Sequence, residues 1–131
     1  MEVNRVSGQV VDAAMTVHSA LGPGLLESAY EACLAHELAR RSFRVQRQVA
    51  LPVTYHGVQI DAGFRIDLLV QDLVIVELKA VSEIAPIHEA QLLSYLKLSG
   101  CSVGLLINFH VVHLKDGIKR LVNNLQPQSS P

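Results

Sequence analysis

Two acids and a lysine stand in the most apolar part of the chain. Asp67 lies within Phe64-Arg65-Ile66-Asp67-Leu68-Leu69-Val70, and Glu77 and Lys79 lie within Val74-Ile75-Val76-Glu77-Leu78-Lys79-Ala80. Runs rich in Val, Ile and Leu, split by a short polar break, read as two paired strands. Carboxylates in buried strands are costly unless they are paired or bound to a cation. Side chains alternate along a strand, so Glu77 and Lys79 share a face.

The hydrophobic pattern selects the pairing register. With Asp67 opposite Glu77, residues Ile66, Leu68, Val70, Val74, Val76 and Leu78 form one apolar face, and Arg65, Asp67, Leu69, Ile75, Glu77 and Lys79 form the other. A one-residue slip would carry Glu77 and Lys79 into the apolar row, which burial opposes. The favoured register sets two carboxylates side by side, where like charges repel. A divalent cation removes that conflict. Mg²⁺ is commonly held by one or two carboxylates, waters and substrate phosphate. The plain alternative is a surface salt bridge between Lys79 and an acid.

The surrounding elements must position this hairpin. Val3, Val6, Val10, Ala14, Val17 and Leu21 recur at helical spacing, and Gly22-Pro23-Gly24 ends that helix. A second helix is predicted from about Leu25 to Arg41, with Leu26, Tyr30, Cys33, Leu34 and Leu38 on one stripe. Alternation at Val45, Val49, Leu51, Val53 and Tyr55 predicts strands, Pro52 hints at an edge, and His56-Gly57 makes a turn before Val58–Ile60. After the acidic hairpin, Pro86 opens a third helix and Gly100 closes it. Residues 102–108 read as a buried strand, Lys115-Asp116-Gly117 as a turn, and Ile118 to Val122 as one further short strand. The order, roughly α-α-β-β-β-β-α-β, implies an α/β domain with a mixed sheet flanked by helices over residues 1–122, followed by a polar, disordered tail over 123–131.

Composition narrows the function classes. The chain has 131 residues, enough for one core. A formal net charge of −1 builds in no broad attraction to nucleic acid. Half of the residues are hydrophobic, which suggests apolar surface covered by a second copy, most simply in a dimer. No apolar run reaches about 18 residues and no leader pattern opens the chain, so a cytoplasmic protein without a membrane span is expected. Cys33 and Cys101 match no metal spacing and read as buried free thiols.

Several motifs together carry a family resemblance. Asp67, then Glu77-x-Lys79, on two strands between helices resembles the PD-(D/E)XK nuclease superfamily. Gly24-Leu25-Leu26-Glu27-Ser28-Ala29-Tyr30 resembles the signature of the GxxExxY protein family, a small branch of it. His88-Glu89-Ala90-Gln91-Leu92-Leu93-Ser94-Tyr95-Leu96 and Gly104-Leu105-Leu106-Ile107-Asn108-Phe109 are similar to that family as well. The resemblance covers about residues 5 to 122. One departure is that no Pro precedes Asp67.

The resemblance implies a restriction-endonuclease-like fold and a Mg²⁺- or Mn²⁺-dependent nuclease acting on DNA or RNA. It implies that Asp67 and Glu77 ligate metal with the Leu78 backbone carbonyl, and that Lys79 holds or deprotonates the attacking water. Glu27 becomes an outer or direct metal ligand, although the first turn of a helix favours an acid in any case. Gln91 orients Lys79 or the substrate backbone, with Tyr95 on the same helix face. Tyr30 reads first as core packing with a bonded hydroxyl and second as a substrate contact. His88 reads as an ordinary histidine or as a phosphate contact.

Other features weigh less. His18 lies close to the Glu27 turn in sequence and is a remote neighbour of the site. His110 and His113, two apart, form at most half of a zinc site. Arg40, Arg41, Arg44 and Arg47 read as a solvated face or as phosphate contacts, and Lys115, Lys119 and Arg120 form a smaller basic group. Two further functions stay open beside the nuclease: a non-catalytic binding or regulatory module that kept the acids, and a hydrolase of a small phosphorylated nucleotide.

Overall fold

The protein is described by a computed structural model, in which residues 2–123 are described. The predicted tail therefore lies outside the described residues apart from Asn123.

Helix α1 spans Val3–Leu21 and α2 spans Glu27–Arg40. Strands β1 (Val45–Ala50), β2 (Val53–Tyr55), β3 (Val58–Ile60), β4 (Arg65–Val70) and β5 (Val74–Lys79) follow, then α3 (Pro86–Ser99), β6 (Val103–Asn108), a 3-10 turn (Leu114–Gly117) and β7 (Ile118–Val122). Five strands form one sheet in the order β1-β4-β5-β6-β7, and β2 and β3 form a separate two-stranded ribbon. Among the described residues only β5 and β6 run parallel, joined by α3; the remaining pairs are antiparallel. A parallel pair needs such a crossover connection, and a helix commonly supplies it.

Alternation along β5 divides the core into two layers. Val74, Val76 and Leu78 pack under α1 and α2 with Val6, Val10, Ala14, Tyr30, Leu34 and Leu38. Ile75 faces the other way and packs under α3 with Leu92, Tyr95, Leu96 and Leu106. β6 is buried along its whole length, as a central strand covered on both faces must be. Gly104 lets α3 approach closely: a Cβ there would lie 2.9 Å from Leu92 Cδ1. Among the described residues no helix is long and apolar enough to cross a membrane.

The structure corrects three expectations. Ile66 leaves the predicted apolar row and joins the layer under α3 with Leu51 and Tyr95. The β1–β4 ladder is interrupted there. Its pairs run from Arg47↔Leu68 to Val49↔Ile66, and between them Gln48 adopts φ +51, a left-handed conformation rare outside glycine and Asn/Asp. Cys33 is exposed and Cys101 half-buried, so neither thiol is in the core. Leu26 is exposed too. The buried stripe of α2 follows the four-residue steps Tyr30, Leu34 and Leu38; Cys33 falls beside it, and Leu26, one step before Tyr30, is the N-cap and precedes the helix.

Candidate active site

The site forms where the β4–β5 ladder ends. Backbone pairing runs Val70↔Val74, Leu69↔Ile75, Leu68↔Val76. One step further the same register brings Asp67 level with Glu77, as the hydrophobic pattern required. Here side chains take over from the ladder. The Asp67 N–H donates to Glu77 Oε2 at 2.9 Å, and the Leu78 N–H donates to Asp67 Oδ2 at 2.9 Å. Each carboxylate is thus pinned by the backbone of the opposite strand.

Burial makes the pair electrostatically tense. Glu77 is only 6% exposed. Its pKa is pushed up to about 8, chiefly by burial and then by the Asp67 charge; the Asp67 N–H and Lys79 pull the other way. Asp67 is raised as well, first by burial and then by the charges of Glu31 and Glu27, against hydrogen bonds from Leu78 and Gln48. Near neutral pH protonation of Glu77 relieves the repulsion. A divalent cation could do the same. Two adjacent carboxyls with a nearby backbone carbonyl fit Mg²⁺, which keeps several waters and needs few protein ligands. Among the described residues no three His, Cys, Asp or Glu side chains are gathered closely enough to hold an ion.

Glu27 stands at the first residue of α2 and meets the end of β5, its Oε2 accepting the Ala80 N–H at 3.3 Å. Tyr30 explains the Gly-x-x-Glu-x-x-Tyr spacing. Gly24 adopts φ +102 in the loop before α2. The Tyr30 hydroxyl reaches back to that loop, donating to Gly22 O at 2.6 Å and accepting the Leu25 N–H at 3.1 Å. Its fully buried ring stacks on Phe109 at 4.4 Å. Tyr30 therefore fixes the loop that presents Glu27, and its hydroxyl is spent on backbone. Tyr30→Phe is expected to lower stability by about 1–2 kcal/mol, by loss of two buried hydrogen bonds, as measured by urea denaturation.

Lys79 joins no ion pair among the described residues. The salt bridge that was the plain alternative for it is not formed. Its residue pairs with Asn108 across the parallel ladder. Asn108, 2% exposed, clamps the chain beyond Lys79: it donates to Val81 O at 2.9 Å and accepts the Val81 N–H at 3.1 Å.

On α3, Tyr95 faces the carboxylates. Its hydroxyl pKa is raised by burial and by the charges of Glu77 and Asp67, and its ring lies 6.0 Å from that of Phe64. Gln91 is exposed one turn earlier. His88 caps its own helix, with Nδ1 accepting the Ala85 N–H at 3.0 Å. His18 sits apart from the carboxylates: its Nε2 is 2.8 Å from Val111 O and its ring 6.2 Å from that of Phe109. His110 donates its N–H to Asn108 Oδ1.

Two residues escaped the sequence reading. Glu31 is buried on α2, and Gln48 bridges it to the site: Gln48 Nε2 donates to Glu31 Oε1 at 2.8 Å and to Asp67 Oδ1 at 3.3 Å. Glu31 also accepts from Arg47 Nε at 3.2 Å. Its spacing of four from Glu27, one helical turn, was the available signal.

The arginine cluster is neutralised. Arg40 pairs with Glu37, Arg41 with Asp12 and Glu37, Arg44 with Asp72, and Arg47 with Glu31. Arg41, Arg44 and Arg47 hold elements together, and the solvated-face reading describes the cluster better than phosphate binding.

A helix-presented glutamate, an Asp on one strand and a Glu-x-Lys on the next, set on a mixed sheet between helices, make a restriction-endonuclease-like arrangement. The chain belongs to the PD-(D/E)XK nuclease superfamily, whose family model matches residues 4–121. Comparison with curated proteins and with solved structures finds no match.

Proposed function

We propose that the protein is a Mg²⁺- or Mn²⁺-dependent nuclease that hydrolyses phosphodiester bonds of DNA or RNA. The observation that carries this reading is the buried Asp67–Glu77 pair, pinned by cross-strand backbone bonds, with Lys79, which joins no ion pair among the described residues, two residues on. Asp67, Glu77 and the Leu78 carbonyl would hold the ion, with Glu27 as an outer or direct ligand from α2. A divalent cation in such a site lowers the pKa of a bound water and offsets charge on phosphoryl oxygens. Lys79 positions the attacking water and takes its proton or balances phosphate charge. Tyr95 and Gln91 lie on the helix that overlooks the pair and would orient substrate or Lys79. His88 reaches substrate only by giving up its cap.

The GxxExxY motif supports membership of that branch, because its Gly, Glu and Tyr each do structural work around Glu27. A homodimer accords with the apolar composition.

Calorimetry with Mn²⁺ tests the reading. Wild type is expected to bind at sub-millimolar to millimolar metal, and Asp67→Ala to lose at least tenfold in affinity. Absence of binding at millimolar Mn²⁺ and Mg²⁺ would overturn it. A second reading is a non-catalytic nucleic-acid- or protein-binding module that kept the fold and the acids. It predicts nucleic-acid retention that Asp67→Ala leaves unchanged. Hydrolysis of a small nucleotide, the third, would appear in a substrate panel as turnover of mononucleotides without cutting of strands.

A further inference from the structure

We propose that the cavity between the C-terminal end of α1 and the turn after β6 is a phosphate subsite, which holds a flanking phosphate of a nucleic-acid strand whose scissile bond lies at Asp67, Glu77 and Lys79. The inference rests on the nuclease reading above and adds to it where the strand runs.

Three observations carry it. The first is the lining. This cavity of about 460 Å³ is walled by His18, Ser19, His113 and Lys115 among apolar residues that include Met15, Val112 and Leu114, and no Asp or Glu lines it. In a chain with twelve acids and a net charge of −1, such a lining is a local reversal of sign. The Lys115 ammonium, the His113 imidazole and the Ser19 hydroxyl are donor types that bind phosphate oxygens, whereas the His18 Nε2–H is already given to Val111 O. His18 is buried and its ring is anchored through Nε2 to Val111 O at 2.8 Å, so this wall is built rather than incidental.

The second is where the remaining cations go. Arg40, Arg41, Arg44 and Arg47 are each consumed by a carboxylate, and Lys119 pairs with Glu89. Lys115 pairs with no carboxylate among the described residues, and neither it nor His113 is buried. The cluster that the sequence marks most strongly as basic is thus matched by carboxylates, while Lys115 is exposed and matched by none among the described residues.

The third is continuity with the site. A neighbouring cavity of about 410 Å³ is lined by Leu25, Leu26, Glu27, Ser28 and Ala80, so it opens beside Glu27 and the residue after Lys79. Pro23 walls one cavity and Leu25 the other, and two residues span at most about 7 Å. The two cavities therefore open at neighbouring residues of the loop that Tyr30 locks. The exposed carbonyls at the end of α1 oppose an anion. Two nearby carbonyls are already satisfied: His18 O by the Gly22 N–H at 2.7 Å and Gly22 O by the Tyr30 hydroxyl at 2.6 Å.

The test measures strand binding apart from cutting. Fluorescence anisotropy of labelled 12-nucleotide DNA and RNA strands in Ca²⁺, over a range of salt, is compared between wild type and the double variant His113→Ala/Lys115→Ala. Neither residue is buried, so the variant should fold, which circular dichroism checks. The variant is expected to bind about five- to tenfold more weakly, with a salt slope lower by about 0.7–1, the loss of one phosphate contact. Cleavage of bis(p-nitrophenyl) phosphate with Mn²⁺ reports the carboxylate site alone and is expected to be the same for both proteins. Equal strand affinity and slope in wild type and variant would overturn the subsite, as would wild type that binds no strand. Strand binding that responds to the variant, without any bis(p-nitrophenyl) phosphate cleavage, would leave the subsite standing and count against the nuclease reading instead. A 5′-mononucleotide that binds as tightly as the strand and loses as much in the variant would assign the cavity to a free nucleotide phosphate and overturn the strand assignment.

Discussion

Lys79→Ala is expected to lower metal-dependent phosphodiester cleavage about 10³-fold, in the range that removal of a positioned proton-transfer group produces. The residue stands two places after Glu77 on the same strand and face, and its charge helps to hold the Glu77 pKa down. It joins no ion pair among the described residues, so its loss should leave the fold intact. The expected signature is a fall in kcat with melting temperature unchanged within about 2 °C and Mn²⁺ affinity within about threefold, since an exposed or half-buried lysine contributes little to either. Measured side by side, kcat, Tm and calorimetric affinity separate a chemical role from a structural one. Loss of activity that tracks loss of Tm would make Lys79 a structural residue.

Glu77→Gln should stabilise the protein in EDTA at pH 8 while abolishing metal binding. The sign follows from the shift. The carboxyl is raised from 4.5 to about 8 in the folded protein, so folding favours its protonated form. Its contribution to stability is fully present below about pH 4.5, declines as the pH rises toward 8, and is lost above that. A shift of this size corresponds to a few kcal/mol for a buried group. In EDTA the wild-type Tm should therefore fall between pH 5 and 8.5 by about 5–10 °C. The amide keeps an oxygen to accept the Asp67 N–H and carries no charge, so Glu77→Gln should remove most of that fall. Mn²⁺ should raise the wild-type Tm at pH 8 and leave the variant unmoved. A wild-type Tm flat from pH 5 to 8.5, with no response to Mn²⁺, would contradict the account of the pair. The same substitution that relieves the fold is expected to silence the site, a trade common where function stores an unfavourable charge.

The acidic hairpin was legible because alternation and burial leave one register, and that register by itself sets Asp67 beside Glu77. Helix ends marked by Gly22-Pro23-Gly24, Pro86 and Gly100 were legible because those residues restrict the backbone locally. What escaped was set by partners distant in sequence. Ile66 switches layers where Gln48, on another strand, adopts a left-handed conformation, which no local pattern announces. The partners of Arg41 and Arg44, Asp12 and Asp72, lie 29 and 28 residues away, so the cluster read as a solvated face or phosphate contacts and its ion pairs did not show. Glu31 resembled any solvent-facing helix acid until the fold brought Gln48 and Arg47 to it. Tyr30 was readable as a packed tyrosine with a bonded hydroxyl, whereas its partner loop, and hence its hold on Glu27, was not.

The central claim is that Asp67, Glu77 and Lys79 cut phosphodiester bonds with a divalent cation. Its most direct test is cleavage of labelled single- and double-stranded DNA and RNA in Mn²⁺, Mg²⁺ or EDTA, with Lys79→Ala alongside. The account predicts cutting of at least one of these substrates that requires metal and disappears in the variant. A folded wild type that binds Mn²⁺ and cuts none of the four, or cutting that survives in EDTA or in Lys79→Ala, would contradict it.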